Sequence, residues 1–326
     1  MRKIRKNTNT SPPRKLLFSS PPLLGKERGL GGEVRTKKSL GQNFLRDEGI
    51  LKKIVDFAQI ENTDLVIEVG PGEGTLTKLI LEKAKRVIAI EKDEKLVEKL
   101  KEKFNKEIKD NRLKIIEGDI LNTDYIIPQV SKVPFDTYKL VGNIPYYITG
   151  ALFKKFLENP PADKQPQSIT FVVQKEVAER IMARDGKENI LSISIKAYGT
   201  PEYGGIIKAG SFSPSPKVDS AILAVRGISK ERFGRITPLI PLTLKGEKFE
   251  KRFFEIVKLG FAHKRKLLIS NLVSRTRLDR LKTLNIEQTE MSRRVLDSFR
   301  KYGINEKARA EDLKVEDWVC ITRELI

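Results

Sequence analysis

A glycine-rich turn, two carboxylates and an amide each stand at the end of a short apolar run. Gly70-Pro71-Gly72-Glu73-Gly74 follows Leu65-Val66-Ile67-Glu68-Val69, and Glu91 closes Arg86-Val87-Ile88-Ala89-Ile90. Asp119 comes shortly after Leu113-Lys114-Ile115-Ile116, and Asn143 follows Tyr138-Lys139-Leu140-Val141. A glycine turn lets the backbone pass close to a ligand. A carboxylate ending the next strand can accept both hydroxyls of a ribose, and one ending the third can bond the amino group of an adenine. The turn departs from the dinucleotide pattern, because Thr75 stands where G-x-G-x-x-G needs glycine, and no lysine follows it to serve a polyphosphate. Glu68 and Glu73 would repel phosphate. Acidic groups suit a cofactor with positive charge, and S-adenosylmethionine carries a sulfonium and an α-amino group. Gly70, Gly72, Glu91 and Asp119 are therefore read as its binding residues, and methyl transfer is preferred over hydride transfer.

The fourth run ends in Asn143-Ile144-Pro145-Tyr146. Taken alone this is a strand-ending turn, with Pro145 fixing φ and Asn143 bonding its own backbone. Beside a methyl-donor pocket it has a second meaning. A planar exocyclic amine needs two acceptors for its N–H bonds. The Asn143 side-chain carbonyl is one, and a main-chain carbonyl aimed by the Pro145 turn is the other. Tyr146 offers a ring on which a base can stack. Localising the nitrogen lone pair favours attack on a sulfonium methyl, and the remaining catalysis is proximity and in-line orientation. No general base is evident. A second ring, Phe212, sits in Ser211-Phe212-Ser213-Pro214-Ser215-Pro216-Lys217-Val218-Asp219-Ser220. A base must leave its stack to be modified, and Tyr146 and Phe212 could sandwich it. Phe212 could equally plug the core.

These residues need a scaffold of strands ending side by side. From residue 64 the pattern repeats strand, turn, helix, with helical spacing at Leu76, Leu79, Ile80 and Lys83 and a charged helix over 93–104. A fifth strand is expected at Ile169–Val173 and another over 218–225. Strands buried on both faces and joined by helices indicate a parallel α/β sheet. Asn189–Tyr198 alternates like a strand but is read as a helix. Residues 245–280 carry eleven Lys/Arg against four acids, a net +7, with Phe253, Phe254, Val257 and Leu267–Leu268 at helical spacing. They read as a helical region with a basic face.

The whole chain of 326 residues has 63 Lys/Arg against 43 Asp/Glu, a net +20, which points to a polyanionic partner, most often nucleic acid. One cysteine, Cys320, excludes an internal disulfide and a multi-cysteine metal site; no metal is expected. His263, the single histidine, has no partner motif for triad chemistry. No apolar run approaches the roughly 20 residues that span a bilayer. Residues 1–38 hold eleven Lys/Arg against Glu27 and Glu33, interrupted by paired prolines and glycines. They are expected to be a disordered basic extension with no chemistry assigned, although an RNA-holding arm or a targeting peptide has the same composition.

In order along the chain, Ser39-Leu40-Gly41-Gln42-Asn43-Phe44-Leu45, the glycine turn, Glu91, Gly118-Asp119, Asn143-Ile144-Pro145-Tyr146 and the Phe212–Ser220 loop resemble the small-subunit rRNA adenine N6,N6-dimethyltransferase family over about residues 37–326. The resemblance implies a Rossmann-like class I S-adenosylmethionine-dependent methyltransferase domain over 39–230 and a small helical RNA-docking domain over 231–326. It implies that Asn43 and Leu45 join Gly70, Glu91, Asp119 and Asn143 around the cofactor. It implies a substrate of two adjacent adenosines in a hairpin loop near the 3′ end of small-subunit rRNA, each methylated twice during ribosome biogenesis. A cytoplasmic monomer acting on a ribosomal subunit or assembly intermediate is expected. The sibling family that modifies large-subunit rRNA shares the glycine turn and Asn-Ile-Pro-Tyr. Val218-Asp219-Ser220-Ala221 and Leu259–Leu268 resemble the small-subunit enzymes instead. His263 and Leu268 depart from that pattern and are read as drift on an RNA-facing helix. A DNA adenine methyltransferase would typically carry Asn/Asp-Pro-Pro-Tyr, and an assembly factor that only retains the fold is a further alternative.

Overall fold

The computed structural model describes residues 43–122, 137–160, 164–234, 246–274 and 288–326. The basic extension at 1–38, Ser39–Gln42, Lys245, Arg275, Arg277 and Arg280 lie outside the described residues.

The elements alternate as their apolar spacing predicts. In chain order they are β1 (Phe44–Leu45), α1 (Glu48–Phe57), β2 (Leu65–Val69), α2 (Thr75–Lys83), β3 (Arg86–Glu91), α3 (Glu94–Lys103), α4 (Asn105–Lys109), β4 (Leu113–Glu117) and β5 (Lys139–Asn143). Then come α5 (Thr149–Leu157), β6 (Ser168–Gln174), α6 (Lys175–Met182), α7 (Ile190–Lys196), β7 (Thr200–Ile207), β8 (Phe212–Ser213) and β9 (Ser220–Arg226). Among the described residues five helices follow, α8 (Glu231–Gly234), α9 (Glu247–Gly260), α10 (Leu268–Leu272), α11 (Gln288–Tyr302) and α12 (Val315–Leu325).

Seven strands form one sheet in the order β4-β3-β2-β5-β6-β9-β7. β2 is wholly buried and pairs in parallel with β3 on one side and β5 on the other. Order reverses there, and ligands bind at such a switch point, beyond the carboxyl ends of the strands. The sheet is mixed rather than all-parallel. β9 runs antiparallel between β6 and β7. Thr200–Ile207, to which sequence reading assigns no element, is the strand β7 despite Pro201 and Gly204-Gly205, with a bulge between Tyr203 and Gly205. The ambiguous segment is helix α7: Asn189 caps it, accepting from the Leu191 and Ser192 N–H groups, while Ser192 Oγ accepts from the Asn189 N–H.

A separate ribbon pairs β1 with β8, setting Leu45 opposite Phe212. It ties the segment before the sheet to the loop before β9. On the other side, Tyr198 stacks on Phe254 of α9 at 5.8 Å and donates to Glu250 at 2.6 Å. The apolar core therefore runs without a break from the sheet's α5 side into the C-terminal helices.

Candidate active site

One cleft opens at the carboxyl ends of β2, β3, β4 and β5, and nine of the ten residues read as site residues line it. Gly70 and Gly72 form its floor in the left-handed region, at φ +67° and +57°. A Cβ on Gly72 would lie 2.8 Å from the Phe44 ring, so the turn tolerates only glycine there. The Gly72 N–H donates to Glu91 Oε2 at 3.1 Å. Glu91 Oε1 accepts from the Lys92 and Asp93 N–H groups at 2.8 and 3.0 Å. Burial raises the Glu91 carboxyl above its ordinary range, and these main-chain bonds work against that rise.

Asp119 Oδ1 accepts from the Leu121 N–H at 2.9 Å, and Oδ2 meets Lys92 Nζ at 2.8 Å. Partial burial would raise this carboxyl, but the Lys92 and Leu121 bonds outweigh it and hold Asp119 below its usual value. Glu68, read from the sequence only as an acid unfavourable to phosphate and not as a binding residue, also lines the cleft. It is the last residue but one of β2, 1% exposed, with both carboxyl oxygens lacking a hydrogen-bond partner among the described residues. Burial pushes it up to about 8, with the neighbouring Thr77 hydroxyl acting against the rise and the Glu91 charge adding to it. A single acid inside an otherwise apolar strand was the available signal.

On the opposite wall, Gly142 lets β5 lie close against β2, since a Cβ would stand 2.5 Å from the Val69 carbonyl oxygen. Asn143 comes next. Its Nδ2 donates to the Asn43 carbonyl at 2.9 Å, which leaves Oδ1 as the acceptor end. Leu45 is buried beneath, and its carbonyl accepts from Thr75 Oγ1 at 3.3 Å. Pro145 leads into a 3-10 turn, Tyr146–Ile148. Tyr146 OH shares a 2.7 Å hydrogen bond with Ser220 Oγ on β9. Burial lifts the Tyr146 hydroxyl above its ordinary value, so it stays protonated at neutral pH.

Phe212 is the exception. It is 5% exposed and packs in the core with Leu45, Leu51 and Ile222, not on the cleft wall. Pairing with Leu45 across the ribbon aims its side chain inward. It plugs the core in this structure, and Tyr146 has no facing ring from that loop. Leu268 is likewise fully buried, which corrects its reading as an RNA-facing position. His263 is exposed, in the turn Ala262–Leu267 with Lys264, Arg265 and Lys266. Buried Asn271 clamps that turn, donating from Nδ2 to the Gly260 carbonyl at 2.6 Å and the His263 carbonyl at 3.0 Å.

The strand order, the glycine cradle and the row of acids define a class I S-adenosylmethionine-dependent methyltransferase. The fit to that cofactor is chemical. Three carboxyl groups face the cleft, one of them without a partner, and a cationic adenosine ligand satisfies such a site better than a phosphate-bearing one. The profile of the family described as ribosomal RNA adenine dimethylase matches residues 33–326. Ribosomal RNA small subunit methyltransferase A of Dehalococcoides mccartyi is 38% identical over 93% of this chain and 94% of its own length. The protein of that name from Fusobacterium nucleatum is 34% identical over 88% and 96%. A dimethyladenosine transferase structure from Plasmodium falciparum superposes with a TM-score of 0.65 at 27% identity, covering 85% of this chain and 95% of that one. The 23S rRNA methyltransferase ErmE gives 0.62 at 26%, over 87% and 99%. The chain belongs to the ribosomal RNA adenine dimethylase family, and it is an S-adenosylmethionine-dependent rRNA adenine dimethyltransferase.

Proposed function

We propose that this enzyme dimethylates N6 of two adjacent adenosines in a hairpin loop near the 3′ end of small-subunit rRNA, on a subunit or assembly intermediate. The curated relatives carry the small-subunit name over nearly their whole length, which supports this reading over the large-subunit one. One observation carries the chemistry: the Asn143 amide is oriented by the Asn43 carbonyl, so its own carbonyl is presented to an amine.

Gly70, Gly72, Glu91 and Asp119 would hold the adenosine part of the cofactor, with Asn43 and Leu45 closing over it. When bound, S-adenosylmethionine supplies an electrophilic methyl group. Asn143 Oδ1 and a main-chain carbonyl of the Pro145 turn accept the two N6–H bonds of the target adenine and keep its lone pair available. Tyr146, fixed by Ser220, stacks on the base. No residue is asked to act as a base, and the amine's proton leaves to water after the new N–C bond has formed. The basic turn at Lys264–Lys266 contacts phosphates, within a docking domain read as 231–326 beside a methyltransferase domain at 39–230. A monomer in the cytoplasm fits this work.

Incubation with labelled S-adenosylmethionine and separated, undermethylated subunits tests it, with mass spectrometry of the nucleosides. N6,N6-dimethyladenosine from small-subunit RNA alone is expected. The same product from large-subunit RNA would overturn the assignment.

A further inference from the structure

At the mouth of the cleft stands a ring that neither wall uses. Tyr147 is 67% exposed, the most exposed large apolar side chain among the described residues, yet it lines the cleft beside Tyr146. It makes no hydrogen bond or ring contact with any described residue. Its backbone is nevertheless held. The Ile148 N–H donates to the Pro145 carbonyl at 3.2 Å, and Thr149 Oγ1 donates to the Tyr146 carbonyl at 2.9 Å. An aromatic ring kept in water on a fixed turn is a surface prepared for a flat apolar partner.

A cation accompanies it. Lys92 also lines the cleft and is 55% exposed at its side chain. Its hydrogen bond and charge pairing with Asp119 raise its ammonium above the ordinary value, so it keeps its positive charge. Ring and ammonium thus share one rim of the cleft. Together they have what a nucleotide needs, a stacking face for the base and a positive charge for its phosphate.

We propose that Tyr147, with Lys92 alongside, forms a second-nucleotide subsite that receives the purine next to the one being methylated. This rests on the proposed substrate of adjacent adenosines. Extracting the target base strips its neighbour of a stacking partner, and the Tyr147 face replaces it.

The test uses the full-length enzyme on undermethylated small-subunit particles. Tyr147→Ala should raise the KM for particles about tenfold with kcat nearly unchanged, and Tyr147→Phe should restore it. Cofactor affinity by calorimetry should stay the same in both. Particles whose rRNA has the neighbouring adenosine replaced by uridine should cost the wild type most of that factor and cost Tyr147→Ala little. Wild-type activity in the same series tests the substrate reading by itself. With that activity present, an unchanged KM in Tyr147→Ala overturns the subsite. A tenfold loss of cofactor affinity would overturn it too, by making the ring a cover for the cofactor.

Discussion

The two walls of the cleft are built on opposite principles. On the β3–β4 side, Glu91 is buried and accepts three main-chain N–H groups, and Glu68 is sealed in β2 with no partner. On the β5 side an amide and two tyrosines stand half-buried or exposed, each positioned by a single bond or a turn. The first wall is rigid, acidic and suited to one cation that always returns. The second is neutral and open, suited to a large partner that must enter, be methylated and leave. On the proposed reading, the first wall holds the cofactor and the second receives the base.

The contrast can be broken most directly at Asn143. Asn143→Ala should lower kcat about 10²–10³-fold while cofactor affinity changes far less, measured by single-turnover kinetics and calorimetry. Equal losses in both would show that the walls do not divide the work. Glu91→Gln should do the reverse, weakening cofactor binding about 10–100-fold with kcat at saturation largely kept. Ser220→Ala removes only the bond that orients the Tyr146 ring. A drop in kcat of about three- to tenfold is expected, with recovery in Ser220→Thr and no change in melting temperature beyond a few degrees.

The smallest effect concerns Glu68 and has a definite sign. Its carboxyl is protonated in the folded protein up to about 8, whereas in the unfolded chain it ionises near 4.5. Between those values unfolding releases a proton, so rising pH destabilises the cofactor-free fold. Glu68→Gln should abolish that slope and melt roughly 5 °C above the wild type at pH 8 without cofactor. A cationic ligand that draws out the ionised carboxylate should shrink the difference. Identical pH slopes in the two proteins would remove Glu68 from the site.

Part of each wall was legible in the sequence, because those residues end or follow apolar runs and a parallel sheet brings such ends together. Glu91, Asp119 and Asn143 follow from that rule alone. The exceptions share a cause, contacts between residues far apart in the chain. Phe212 looks like a target-stacking ring until its register with Leu45 turns it inward. β7 contains a proline and a glycine pair and has the composition of a loop. It is a strand because β9 pairs with it, and because a Cβ at Gly204 would crowd Ile222 and Phe57 at 2.9 Å. Lys92 lies 27 positions from Asp119, and no local pattern signals their pairing.

The ribbon between β1 and β8 also orders events in time. A chain made from its amino end produces Asn43 and Leu45 first, but their partners at Phe212 and Ser213 emerge only after every parallel strand of the sheet. Until then the segment that carries the Asn43 carbonyl lacks its strand partner. A nascent chain thus possesses the whole glycine turn and both acids of the first wall well before it can aim an acceptor at an amine. Competence to methylate therefore cannot precede residue 213, and the Ser220 hydroxyl that holds Tyr146 comes later still.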